Sequence, residues 1–125
     1  MTKEIKMEVI TSPAYEIAQS KPEDSKYFFS YHICIRHLGG EACQLINRHW
    51  LITDAGGEKQ EVFGEGVIGK KPEFSAGEEF EYTSGVLLET PVGTMEGYYE
   101  TKTNSGEMFR VPTAPFLLAV PGSIN

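Results

Sequence analysis

Three groups of residues have types and spacings that bear on chemistry. The first, Gly64-Glu-Gly-Val-Ile-Gly69, spells GxGxxG. In dinucleotide-binding folds the third glycine of that pattern opens a helix whose N-terminal N–H groups hold a pyrophosphate. Here Lys70, Lys71 and Pro72 follow, then Phe74-Ser-Ala-Gly77, so no helix can run on and no βαβ unit surrounds the glycines. A dinucleotide crossover is excluded on that ground. Two readings of Gly64, Gly66 and Gly69 stay open. One is a loop that needs backbone freedom; the other is an anion-binding nest of N–H groups assisted by Lys70 and Lys71.

The second group is Arg48-His-Trp-Leu-Ile-Thr-Asp54. Strand alternation puts Arg48, Trp50 and Ile52 on one face and His49, Leu51 and Thr53 on the other. Trp50, the single tryptophan, reads as a core anchor. Arg48 on the same face must either meet a carboxylate, with Glu61 or Glu65 as partners, or sit at the end of the sheet. His49 is of the residue type that most often serves as a general base. No motif fixes a serine, cysteine or carboxylate beside it, so it reads as a hydrogen-bonding structural histidine. No catalytic residue is expected, and the chain is not expected to be an enzyme.

The third group is the histidines and cysteines. His32 and His37 fall on opposite faces of one strand, and neither HxH nor HExxH spacing occurs. No dedicated metal site and no cofactor is therefore expected, beyond loose cation binding by surface carboxylates. Cys34 and Cys43 do not form a CxxC pair and are too few for a disulfide framework. They are expected as reduced thiols, with a single bridge as the alternative.

The elements that must position these residues are strands. No window of helical length shows apolar residues at i, i+3, i+4 and i+7 free of Gly or Pro. Period two recurs instead. Ile5, Met7 and Val9 alternate up to a stop at Pro13, and residues 14–25 read as a loop. Lys26 to Leu38 and Cys43 to Thr53 are long strands, and shorter ones follow at Lys59–Phe63 and Glu79–Thr83. Gly85 to Gly93 reads as a loop. Thr94 to Thr103 and Glu107–Val111 form a hairpin, which Phe116–Val120 extends past Pro112 and Pro115. About seven antiparallel strands at this spacing predict one all-β domain, an immunoglobulin- or fibronectin-III-like sandwich, with a small barrel as the alternative.

Composition narrows the function classes. The net charge of −7 opposes nucleic-acid binding, which needs a basic footprint, and opposes docking on anionic membranes. No stretch approaches the roughly 18 apolar residues of a membrane span. Lys and Glu interrupt the N-terminus before a secretory h-region can form, so the expected location is cytoplasmic. Tyr27-Phe28-Phe29 and Tyr98-Tyr99 cannot each face one way along a strand. At least one ring of each run must look outward, as a protein-binding surface beside acidic residues or under the cover of residues 14–25.

Three segments in this order carry a family resemblance: Arg48-His-Trp-Leu-Ile-Thr-Asp-Ala-Gly-Gly57, Glu61-Val-Phe-Gly-Glu-Gly-Val-Ile-Gly69, and Phe80-Glu-Tyr-Thr-Ser-Gly85 followed by Thr90-Pro-Val-Gly-Thr-Met-Glu-Gly-Tyr98. They resemble the ApaG (CorD) family, from about Ile5 to Val120. Lys70-Lys71 departs from the more acidic or polar pair expected there. The resemblance implies a fibronectin-III-like sandwich in a small bacterial cytosolic protein, with no enzymatic activity. It implies an association with cobalt resistance and magnesium efflux. It also implies a gene beside that of a diadenosine tetraphosphate hydrolase. Related eukaryotic domains in F-box and polymerase-delta-interacting proteins imply a protein–protein interaction module. The leading expectation is thus a non-catalytic interaction domain. It would contact an unknown protein partner through the sheet end near Arg48 and His49, the Gly64–Gly69 loop and exposed aromatics. The alternative is a phosphorylated nucleotide or pyrophosphate bound by Gly64–Gly69 with Lys70 and Lys71.

Overall fold

Alternation of apolar and polar residues resolves into eight antiparallel strands in the computed structural model, which describes residues 4–123. They are β1 (Lys6–Tyr15), β2 (Tyr27–Gly39), β3 (Cys43–Asp54), β4 (Lys59–Glu65), β5 (Glu73–Phe74), β6 (Glu79–Leu88), β7 (Val92–Thr103) and β8 (Met108–Ala119). Two 3-10 turns, Ile17–Gln19 and Pro22–Asp24, lie between β1 and β2, and no α-helix occurs among the described residues. Residues 1–3 and 124–125, on which the readings of the two chain ends partly rest, lie outside the described residues.

One sheet has the order β1-β2-β6 and the other β4-β3-β7-β8, with β5 joined to the start of β3. The sheets face each other as the expected fibronectin-III-like sandwich. Phe29, Ile33 and Ile35 from β2 meet Leu45, Met95 and Leu118 from the larger sheet in one core, each of them nearly inaccessible to water. Burying a side chain of this size contributes about 1.5–3 kcal/mol. Trp50 packs edge-on against Tyr31, Tyr99 and Phe116. Cys34 and Cys43 are both buried and free.

The strands outrun the expected boundaries at Pro13 and Gly85, and pass Pro112 and Pro115 as expected. β1 continues through Pro13. It is an edge strand paired only with β2, and an edge tolerates a residue that cannot donate to the ladder. β8 is likewise an edge and runs through both Pro112 and Pro115. The register with β7 slips there, from Thr113 opposite Gly97 to Phe116 opposite Met95, which absorbs Ala114 and Pro115 as a bulge. β6 continues through Gly85 to Leu88, correcting the loop expected from Gly85. The Phe28 ring of β2 lies over Gly85, where a Cβ would collide with it. Phe29 is in the core, Phe28 is outside on this glycine, and Tyr27 is half-buried. The segment after β1 is tied to β2 by Ser30 Oγ donating to Glu16 Oε2 at 2.5 Å and by Phe28 N–H donating to Ser20 Oγ at 2.9 Å.

A buried hydroxyl pair joins the sheets: Tyr82 of β6 and Tyr99 of β7 meet at 2.5 Å. Burial drives both phenols far above their ordinary range, Tyr99 the more, while the nearby positive charge of Arg48 opposes the rise. Burial also pushes the Cys43 thiol up to about 11. Raised values in the folded state mean that the stability from these groups is complete below their ordinary values, 9.0 for the thiol and 10.0 for the phenols, and is lost as pH climbs past them. Urea midpoints measured against pH are expected to fall above about pH 9 and steeply above pH 10. The Tyr82→Phe/Tyr99→Phe variant is expected to flatten the steep part. At neutral pH, Tyr99→Phe alone should cost about 1–2 kcal/mol by leaving a buried hydroxyl unpaired. The double variant should cost less than the two single changes added together.

Candidate functional site

β3 positions most of the residues singled out from the sequence. Leu45 lies opposite Thr101 and Asn47 opposite Glu100, so β3 carries one residue more than β7 between these pairs. Such a bulge inverts the alternation. Cys43 and Leu45 face the core before it, and Arg48, Trp50 and Ile52 face inward after it.

Arg48 therefore extends between the sheets, at the edge where β4 and β6 leave the sandwich open. Its Nη1 donates to the main-chain carbonyls of Glu65 at 3.1 Å and Gly66 at 2.9 Å. The guanidinium lies against Gly64, where a Cβ would come within 2.9–3.0 Å of its atoms. The expected carboxylate partners are corrected. The Glu61 carboxylate reaches His49 Nε2 at 3.4 Å and that of Glu65 reaches Lys71 Nζ at 3.4 Å. Both glutamates alternate outward on β4, whereas Arg48 faces inward. Among the described residues Arg48 has no ion-pair partner. It borders a cleft of about 330 Å³ shared with Tyr31, Trp50, Val62, Ser84 and Val86.

The glycine run is a short strand end and a tight turn. Gly66 N–H donates to Ile46 O at 2.7 Å, and Val67 and Lys70 exchange N–H donations at 2.8 and 2.9 Å. These bonds turn three of the loop's N–H groups inward onto carbonyls of the chain. Gly66 has φ +59, and a Cβ there would collide with the Lys70 carbonyl. Ile68 and Gly69 form the turn tip, with φ +42 and +76. A β-branched residue in this left-handed region costs about 1–2 kcal/mol, and Ile68 presents its side chain to solvent, 57% exposed. Val67 beside it is fully buried and pins the turn to the core.

His49 is not part of this group. It lies on the opposite face of β3, where the register aligns Phe63, His49 and Tyr98 across three adjacent strands. His49 stacks on Tyr98 with ring centres 4.7 Å apart and an angle of 20°. Phe63 sits 6.3 Å from His49 and is 62% exposed. At the far end of the row, the Arg110 guanidinium lies 4.2 Å above the Tyr98 ring and 3.7 Å from Glu100. Glu61, Glu65, Glu96 and Glu100 share this outer face. A hollow beside the row, about 300 Å³, is bordered by His49, Leu51, Glu96, Tyr98, Thr113 and Pro115. Nδ1 of His49 and Oγ1 of Thr113 are buried without hydrogen-bond partners among the described residues. Sequence reading missed Phe63 and Arg110. The Tyr98-Tyr99 doublet was the local signal of this face, since Tyr99 is buried and Tyr98 faces out.

The three histidines are dispersed. His32 bonds Thr83 and Glu81 on the outside of the smaller sheet, and His37 is buried with Nε2 at 2.7 Å from Glu41 O. Among the described residues no three His, Cys, Asp or Glu side chains cluster to hold a metal, and no helix is long and apolar enough to cross a membrane.

The ApaG domain family model matches residues 17–103. Protein ApaG of Sodalis glossinidius is 50% identical over 111 residues, 89% of each chain. Protein ApaG of Photobacterium profundum is 46% identical over 121 residues, 97% of this chain and 94% of that one. The crystal structure of a putative ApaA protein from Bordetella pertussis superposes with a TM-score of 0.93 at 44% identity, covering 98% of this chain and all of the other.

The turn geometry orders three substitutions. Gly66→Ala should destabilise by about 2 kcal/mol or more, through both its φ and the collision. Gly69→Ala, with nothing within 4 Å, should cost only about 1 kcal/mol. Ile68→Asn should stabilise by up to about 1 kcal/mol. Urea unfolding of the three variants checks the order.

Proposed function

The chain belongs to the ApaG domain family, and from that premise we propose that it is a non-catalytic interaction domain that meets a protein partner on the outer face of its larger sheet. The observation that carries this reading is the row Phe63, His49, Tyr98 and Arg110 across four strands. Aromatic rings held in place by sheet register lose little freedom on binding and supply large contact areas. Phe63 is the most exposed aromatic ring among the described residues. The strained, exposed Ile68 stands at the end of the same edge strand, where a contact would offset its conformational cost.

The reading extends to the rest of the family resemblance. The link to cobalt resistance and magnesium efflux is indirect, exerted through the partner, and the protein acts in the cytoplasm. A phosphorylated nucleotide at Gly64–Gly69 has Lys70 and Lys71 in its favour. The inward hydrogen bonds of Gly66, Val67 and Lys70 weigh against it.

Affinity capture from the native cell with mass spectrometry tests the docking face. The wild type should retain a partner that Phe63→Ala/Tyr98→Ala loses, with affinity reduced tenfold or more while circular dichroism is unchanged. The same proteins on both baits would overturn the reading. For the nucleotide, amide shifts at Gly64–Gly69 on adding pyrophosphate are the readout. Flat spectra at millimolar ligand are the expected result.

A further inference from the structure

We propose that the open edge of the sandwich between β4 and β6 is a binding site for a small organic anion with an apolar body, its carboxylate or phosphate received by Arg48. This inference is separate from the docking reading, because it uses the inward face of β3 and that reading uses the outward one.

The first observation is a charge without a counter-charge. Arg48 is half-buried, permanently cationic and without an ion-pair partner among the described residues. Removing a charge from water is unfavourable unless an opposite charge or a full set of hydrogen bonds replaces the water. The two main-chain carbonyls that Arg48 meets both bond Nη1. A guanidinium presents five N–H donors in a planar fork, so the Nη2 and Nε side has no protein acceptor among the described residues. That fork is the geometry that grips carboxylate and phosphate. The groups beneath it supply no anion: the hydroxyls of Tyr82 and Tyr99 bond each other, and burial keeps both phenols neutral.

The second observation is the space. The cleft of about 330 Å³ lies in the range of small-molecule sites. Arg48, Trp50 and Val62 wall it on the larger sheet, and Ser84 and Val86 wall it on the smaller one. Ile52, Val62, Val86 and Leu87 give the wall an apolar part that suits a hydrocarbon body, and Arg48, Gln60 and Ser84 give it a polar part. A third observation is that Gly64 is shaped to the guanidinium. The β4 backbone can lie flat beneath Arg48 only because residue 64 has no side chain, which holds the fork at the edge of the cleft.

Trp50 is the single tryptophan and lines the cleft, so fluorescence excited selectively at tryptophan reads the wall of this site. The probes are cyclohexanecarboxylate and cyclohexyl phosphate, with cyclohexanecarboxamide as the neutral counterpart and inorganic phosphate as the anion without a body. At least one of the two amphipathic anions should give a saturable change, and which of them binds tighter identifies the head group. The neutral amide and inorganic phosphate should bind at least tenfold more weakly. Arg48→Met should lose at least tenfold. Gly64→Ala, whose new methyl displaces only the end of a flexible side chain, should keep the fold and also weaken binding. Lys70→Ala/Lys71→Ala should leave it unchanged, which separates this site from the glycine loop. No saturable change with either anion, an equal response to the amide, or undiminished binding by folded Arg48→Met or Gly64→Ala protein would overturn the proposal.

Discussion

One extra residue in β3 decides which side chains face which way in the working half of this molecule. A strand alternates strictly, so a one-residue insertion moves every later side chain to the other face of the sheet. Between Leu45 and Asn47 the bulge makes that exchange against β7. Without it, Arg48 and Trp50 would point to solvent, and His49 and Leu51 would have to enter the core. The inward guanidinium and the outward histidine are two results of the same backbone irregularity. The candidate cleft and the candidate docking face therefore share β3 as a common wall, with opposite chemistries on its two sides.

The two faces differ in how they handle charge. Outside, glutamates are plentiful and exposed, and they engage Lys71, His49 and Arg110 in loose pairs at 3.4–3.7 Å. Pairs of this kind in water contribute little, so that face stays open to exchange them for a partner. Inside, the half-buried Arg48 meets only neutral carbonyl dipoles among the described residues. In a chain of net charge −7, Arg48 thus has no ion-pair partner among the described residues, because Glu61 and Glu65, by their parity on β4, point away from it.

The glycine run serves this arrangement more than it serves a ligand of its own. Gly64 makes room for the guanidinium, Gly66 permits the close approach of the Lys70 carbonyl, and the carbonyls of Glu65 and Gly66 hold Arg48 in place. The match to GxGxxG reflects three separate steric needs at the end of one strand. Ile68 alone departs from this economy, as a branched residue in a left-handed turn that glycine or asparagine would fill without strain.

By itself the sequence determined the class of the fold, because period-two alternation and turn residues act locally and leave their pattern in the chain. Tyr31, Ile33 and Ile35 were legible as one buried face, and Met95, Tyr99 and Thr101 as another. Pro13 and Gly85 misled, since whether such residues break a strand depends on whether the missing N–H or side chain faces a neighbour. Only the sheet order answers that. The same limit held at the site. Alternation placed Arg48 inward and His49 outward, yet it offered Glu61 and Glu65 as partners when their parity on β4 points them away. The alignment of Phe63 with His49 and Tyr98 follows from the register of three strands separated in sequence by up to 49 positions (His49 to Tyr98). The cleft exists because β4 and β6, edges of different sheets, do not pair. Those facts are set by long-range pairing and by the gap between two layers, and neither has a local signature in the chain.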